Sequence, residues 1–99
     1  MIKKLLLCFL LTWHLPVVAQ KIYKEIDSMQ GVLTKLPASQ LREKSTLLEK
    51  TGLLYLNTND YTNATLCFTQ SLSLADRLND SVLMANCYRN MGVVNFYQQ

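Results

Sequence analysis

The 99-residue chain has only three glycines and two prolines. Turn-rich all-β folds depend on those residues, so their scarcity points to long helices. The chain has one histidine, His14, and one tryptophan, Trp13. No segment sustains the period-two alternation of a half-buried strand. Charged residues make up 17% against 49% hydrophobic, which is too apolar for a disordered chain. At this length there is room for one domain at most.

The apolar residues are uneven, and the first twenty form a distinct segment. Met1-Ile2-Lys3-Lys4 is a basic start, and Leu5 to Trp13 is an apolar run broken only by Thr12. His14, Leu15 and Pro16 follow, then Val17-Val18-Ala19-Gln20. Small Ala19 and modest Val17 stand one and three residues before Gln20, the pattern of a secretory signal peptide over residues 1–19. Pro16 is expected to end the helical run and leave the cleavage segment extended. A membrane anchor needs about 20 apolar residues, more than this run provides. Cys8 follows Leu7 inside the run, which does not suit a lipidated cysteine. The expected location is therefore periplasmic or secreted, with no membrane insertion after cleavage.

Cleavage would change the chemistry available. Loss of Lys3 and Lys4 reduces ten basic against seven acidic residues to eight against seven. Nucleic-acid binding needs many phosphate contacts, and so small an excess gives no electrostatic case for it. His14 and Trp13 leave with the leader. The rest has no imidazole for general-base work, a Ser-His-Asp triad or a Cys-His pair. Zinc would have to use Cys67 and Cys87 with carboxylates, an uncommon structural set. The sequence thus predicts no enzyme, no cofactor and no metal site.

The remaining chain reads as four helices. Ile22, Ile26, Met29, Leu33 and Leu36 follow spacings of 4, 3, 4 and 3, one apolar helical stripe. Lys21, Lys24, Glu25, Asp27 and Lys35 lie off it. Leu36-Pro37-Ala38-Ser39 breaks the helix, with Ser39 the expected N-cap of a second helix from about Gln40 to Leu56. Asn57-Thr58-Asn59-Asp60 is a polar turn, and Asp60 should cap a third helix from about Tyr61 to Leu78. Asn79-Asp80 turns again, and a fourth helix runs from near Ser81 to the end.

Two patterns go beyond a generic all-α reading. Gly52-Leu53-Leu54 and Gly92-Val93-Val94 begin 40 residues apart, and the same shift lays Leu48 on Tyr88 and Leu56 on Phe96. Periods of about 20 to 50 residues mark helical arrays. In addition, residues at one level of an antiparallel hairpin have a constant index sum. Leu41 with Ala75, Leu48 with Phe68, Gly52 with Ala64 and Tyr55 with Tyr61 all sum to 116, centred on the Asn57–Asp60 turn. Gly52 against Ala64 is expected to let the helix backbones approach closely. By the same geometry, Cys67 and Cys87 lie about five residues out of level, roughly 7.5 Å along the axis. That offset and the helix spacing put them beyond disulfide reach.

These residues resemble a tetratricopeptide repeat. The family's large residue, Leu-Gly, Tyr, Ala and Phe correspond to Leu48-x-x-Thr51-Gly52-x-x-Tyr55 and Ala64-x-x-x-Phe68, with a second start at Tyr88-x-x-Met91-Gly92. Thr51 replaces the leucine, Ser71 a second alanine and Asn95 the tyrosine, and the late proline is missing. The period of 40 exceeds the usual 34. The likeness covers residues 41–99, and the long form, with Leu72 to Asp80 closing the hairpin, resembles repeats in exported sensor domains of Gram-negative bacteria. Those domains precede a transmembrane helix and a histidine kinase or DNA-binding module.

The resemblance implies a right-handed solenoid of antiparallel helix hairpins, truncated after about one and a half repeats. Residues 20–38 would be an N-terminal capping helix, 40–79 one repeat, and 80–99 the first helix of a second, incomplete one. Fewer than three repeats rarely suffice for stability, so the chain is expected to be a fragment of a longer signalling protein. Any kinase activity would lie beyond Gln99. The first helix of each repeat in this family lines a groove for an extended peptide or partner helix. Here those faces would be Thr46, Glu49, Leu53 and Asn57, then Asn86, Arg89, Val93 and Tyr97. The expected function is a protein-interaction scaffold. The alternative is a small exported helical protein that pairs with itself through the open face of its last helix.

Overall fold

A computed structural model describes residues 16–99. Among them the protein is all-α. Helix α1 spans Pro16–Lys35, α2 Leu41–Asn57, α3 Tyr61–Arg77 and α4 Ser81–Gln98. Each helix packs on the next, and α2 also meets α4. The order is therefore an array in which α2 and α4 stand as neighbours and α3 fills the space behind them.

The turns follow from two Asn-Asp pairs. Asn59 and Asn79 adopt left-handed φ values of 60° and 53°. Asparagine tolerates that region better than other residues with a side chain. At the first turn Asn59 N–H donates to the Leu56 carbonyl and Asp60 N–H to that of Tyr55, at 3.0 and 2.9 Å. At the second, Asn79 and Asp80 repeat both bonds to Asp76 and Ala75 at 3.0 Å. Both turns thus close the preceding helix with a Schellman pattern. The aspartates then open the next one. Asp60 accepts from Asn63 N–H, and Asp80 from Val82 and Leu83 N–H.

Two local expectations are corrected. Ser39 does not cap α2: Gln40 occupies the cap position without a side-chain bond, because Pro37 to Gln40 close their own turn at 3.0 Å. The helix therefore starts one residue too late for the Ser39 hydroxyl to reach its first free N–H groups. The segment from Pro16 to Ala19 is helical rather than extended. Proline fits the first turn of a helix, where its missing N–H has no partner to lose. The rest of the proposed leader lies outside the described residues.

The α1 stripe faces α2 as its spacing requires. Ile26 is buried, and Ile22, Met29, Leu33 and Leu36 are half-buried. Gln30 Nε2 donates to Tyr55 Oη at 2.9 Å, adding a polar tie between the two helices. Burial raises the Tyr55 phenol above its usual value, and the bond from Gln30 partly opposes that shift.

The α2–α3 hairpin holds the densest packing. Ala64 and Phe68 of α3 and Val94 of α4 form the buried cluster, with Tyr55, Leu56, Tyr61 and Met91 against it. Ser45 and Ser71, whose numbers also sum to 116, sit face to face and fully buried. Their hydroxyl oxygens lie 2.9 Å apart, and each donates to the other's backbone carbonyl at 3.0 and 2.7 Å. Cys87 Sγ of α4 reaches Ser71 Oγ at 3.4 Å, so this polar knot joins three helices. Cys67 and Cys87 are both buried and unbridged.

Gly52 is needed for close approach, but its partner differs from the expected Ala64. A Cβ at position 52 would lie 2.5 Å from Phe68 Cε1 and 2.8 Å from Cδ1. Helical side chains lean toward their own N-terminus, covering the preceding turn. The Phe68 ring accordingly lies one turn before its own level and fills the space between Ala64 and Gly52. Thr51 is buried, and its hydroxyl is satisfied by the Leu47 carbonyl at 2.8 Å.

Candidate binding surface

The eight residues expected on the groove all lie on α2 and α4, the helices that stand side by side. Their surroundings are not uniform. Asn57, Val93 and Tyr97 line one shallow cleft together with Leu56 and Asn59. The two sets of expected groove residues therefore meet at the end of α2. Tyr97 stacks on Tyr61 with ring centroids 6.4 Å apart and planes at 12°. Phe96 meets Tyr97 edge-on at 5.6 Å. Such pairs hold ring orientations that an isolated exposed tyrosine would not keep.

Glu49 is tied into the structure. Its Oε1 accepts from Asn90 Nδ2 at 3.2 Å, and Asn90 is buried between the helices. This bond crosses directly from α2 to α4. Leu53 is exposed rather than covered by α1, at 39%. Arg89 is exposed and Asn86 half-buried. Thr46 lies in a separate cleft between α1 and α2, with Val32, Leu36, Arg42, Glu43, Leu47 and Lys50. The structure thus brings Asn57, Val93 and Tyr97 together, ties Glu49 to buried Asn90, and places Thr46 in a different cleft, against α1.

Sequence reading missed Asn90 and the Tyr61–Tyr97 stack. Asn90 had a usable signal: it is a polar residue four positions from each of Asn86 and Val94, on the stripe that must face inward. A second apolar cleft was also missed. It lies over α2 between α1 and α3, where Leu33, Thr34, Leu48 and Gln70 line two adjoining hollows. It exists because α1 and α3 both lean on α2 without packing on each other.

The electrostatics are sparse. Arg42 at the start of α2 pairs with Asp80 in the turn before α4. The Asp80 carboxyl is held below its ordinary value, first by the Leu83 N–H and then by Arg42. Burial pushes the Cys67 thiol up, and the nearby Asp60 adds to the shift. A raised thiol keeps its proton at neutral pH and is a poor nucleophile. Among the described residues no three His, Cys, Asp or Glu side chains group closely enough to hold a metal ion. No described helix is long and apolar enough to cross a membrane.

The geometry defines an all-α protein with stacked helix hairpins and a mixed apolar and polar face across α2 and α4. No protein-family model, curated protein or solved structure matches the chain.

Proposed function

We propose that the chain is a protein-interaction scaffold of the tetratricopeptide type, the exported sensor part of a larger signalling protein. The observation that carries this reading is the cleft where Asn57 meets Val93 and Tyr97, residues from helices one 40-residue period apart. Val93 and Tyr97 line that cleft with Asn57, and exposed Leu53 and Arg89 stand on the same two helices, a combination that suits a peptide. The side chains offer contact area, and the amide and guanidinium groups can bond to an extended backbone. The identical capped turns at Asn59 and Asn79 support the solenoid reading, since they repeat one hairpin geometry along the chain.

Selection from a displayed random-peptide library, followed by titration of the winners, tests the face. Arg89→Ala and Leu53→Ser should each weaken selected peptides at least about tenfold, equivalent to about 1.4 kcal/mol. Helicity should persist in both, because both side chains are exposed. Loss of the fold in Leu53→Ser, with peptide affinity unchanged in Arg89→Ala, would move the binding site elsewhere.

The export part of the reading has its own test. Cleavage before Gln20 would fall within α1 and retain Ile22, Ile26, Met29 and Leu33, the side chains that meet α2. Intact-mass measurement of protein exported from a bacterial host should therefore give Gln20 as the first residue. An exported fraction that still begins at Met1 would refute it.

A further inference from the structure

The apolar cleft over α2, between α1 and α3, differs at its two ends. Its adjoining hollows measure about 290 and 470 Å³, near the size of small-molecule sites. The larger alone includes Lys44, in the first turn of α2. The smaller alone includes Gln30 and Tyr55, whose side chains bond to each other at 2.9 Å. The cleft therefore follows α2 from Lys44 to Tyr55, about 16 Å at 1.5 Å per residue.

Its surface between those ends is apolar. Leu48 is half-buried and Cys67 buried, while Leu66 at the edge is 54% exposed. The Thr51 hydroxyl donates to the Leu47 carbonyl at 2.8 Å, so its donor is already used within α2.

The charge is confined to one place. Among the described residues, Lys44 is the only charged side chain lining either hollow. It is half-buried, and the one ion pair among the described residues joins Arg42 to Asp80. Its neighbours one turn away, Gln40, Leu41, Leu47 and Leu48, carry no charge. An ammonium partly withdrawn from water beside apolar surface favours an anion that brings its own apolar body. Gln70 and Ser73 line the same hollow and can donate hydrogen bonds to that anion.

We propose that this cleft binds one free linear alkyl carboxylate, its carboxylate at Lys44 and its chain along α2 toward Tyr55. Three bonds of an extended chain span about 3.8 Å, so a cleft of about 16 Å holds about twelve carbons. A cationic head would meet Lys44 unfavourably, and an uncharged head would gain the apolar surface without the ion pair. The site is separate from the peptide cleft, which lies at the last turn of α2 against α4. It gives the scaffold a small-molecule input on a different face.

Titration of the purified chain with dodecanoate, followed by methyl NMR, tests the proposal. The Leu33, Leu48 and Leu66 signals should shift saturably, with half-saturation below about 1 mM. Octanoate should bind at least about tenfold more weakly, because each fully buried CH₂ counts about fourfold. Lys44→Gln should weaken dodecanoate about threefold to tenfold and leave dodecyl dimethylamine oxide, with an uncharged head on the same chain, unchanged. Leu66→Glu should weaken both ligands. Helicity should persist in both variants, because neither side chain is buried. Absence of saturable shifts up to about 1 mM dodecanoate would overturn the proposal. So would equal affinity for dodecyltrimethylammonium, equal loss of both ligands in Lys44→Gln, or wild-type binding in Leu66→Glu. Binding to phosphatidylglycerol vesicles without binding to dodecanoate would assign the cleft to a membrane surface and overturn it as well.

Discussion

Replacing Gly52 with leucine is expected to destabilise the chain by about 1–3 kcal/mol or more. The Cβ alone would stand 2.5 Å from Phe68 Cε1, closer than real atoms approach. The ring has no room to retreat, because Phe68 is fully buried against Ala64 and Val94. The remaining response is for α2 and α3 to separate. That motion would also strain the Ser45–Ser71 knot, whose bonds of 2.7 to 3.0 Å cross the same interface. Overpacking costs about 1–3 kcal/mol and occasionally more. Leucine regains roughly 1 kcal/mol of helix propensity over glycine, too little to offset a clash at a helix crossing. A domain of about 80 residues has only roughly 4–12 kcal/mol in total, at 0.05–0.15 per residue. Urea denaturation should show the midpoint falling with little change in slope. Equal midpoints for Gly52→Leu and the wild type would refute the close approach of α2 and α3.

Truncating Phe68 to alanine should have the largest effect of any single substitution. It removes the biggest fully buried side chain, which sits where α2, α3 and α4 meet. Phe→Ala in a core typically costs about 3–5 kcal/mol. The change has a diagnostic consequence at Gly52. With the ring in place, Gly52→Ala is destabilising, because the new methyl overlaps it. With the ring gone, the same methyl enters the cavity, and alanine's helix propensity adds about 1 kcal/mol. The sign of the Gly52→Ala effect should therefore invert between the two backgrounds. A double-mutant cycle in chemical denaturation measures that coupling. The same sign and size in both backgrounds would show that the glycine is not there for the ring.

Much of the architecture was legible in the residues. The α1 stripe, the two Asn-Asp turns and the inward stripes of α2 and α3 all depend on local periodicity and capping. The hairpin register was legible too, since Ser45 and Ser71 meet at the same index sum that aligned Leu48 with Phe68. Local chemistry could not reveal which atoms fill a given space. Side chains lean one turn toward the helix N-terminus, so Gly52 faces the Phe68 ring although its backbone is level with Ala64. The groove residues show the same limit. Thr46 and Asn57 share a stripe on paper, yet they stand eleven positions apart along α2, and Thr46 lines a cleft with α1 whereas Asn57 lines one with α4. Asn90 is buried because Glu49 accepts its amide proton from a helix 41 residues away. Periodicity states which face of a helix turns inward. The neighbour that face meets, and the polar partner that makes burial tolerable, emerge only when all the helices are packed together.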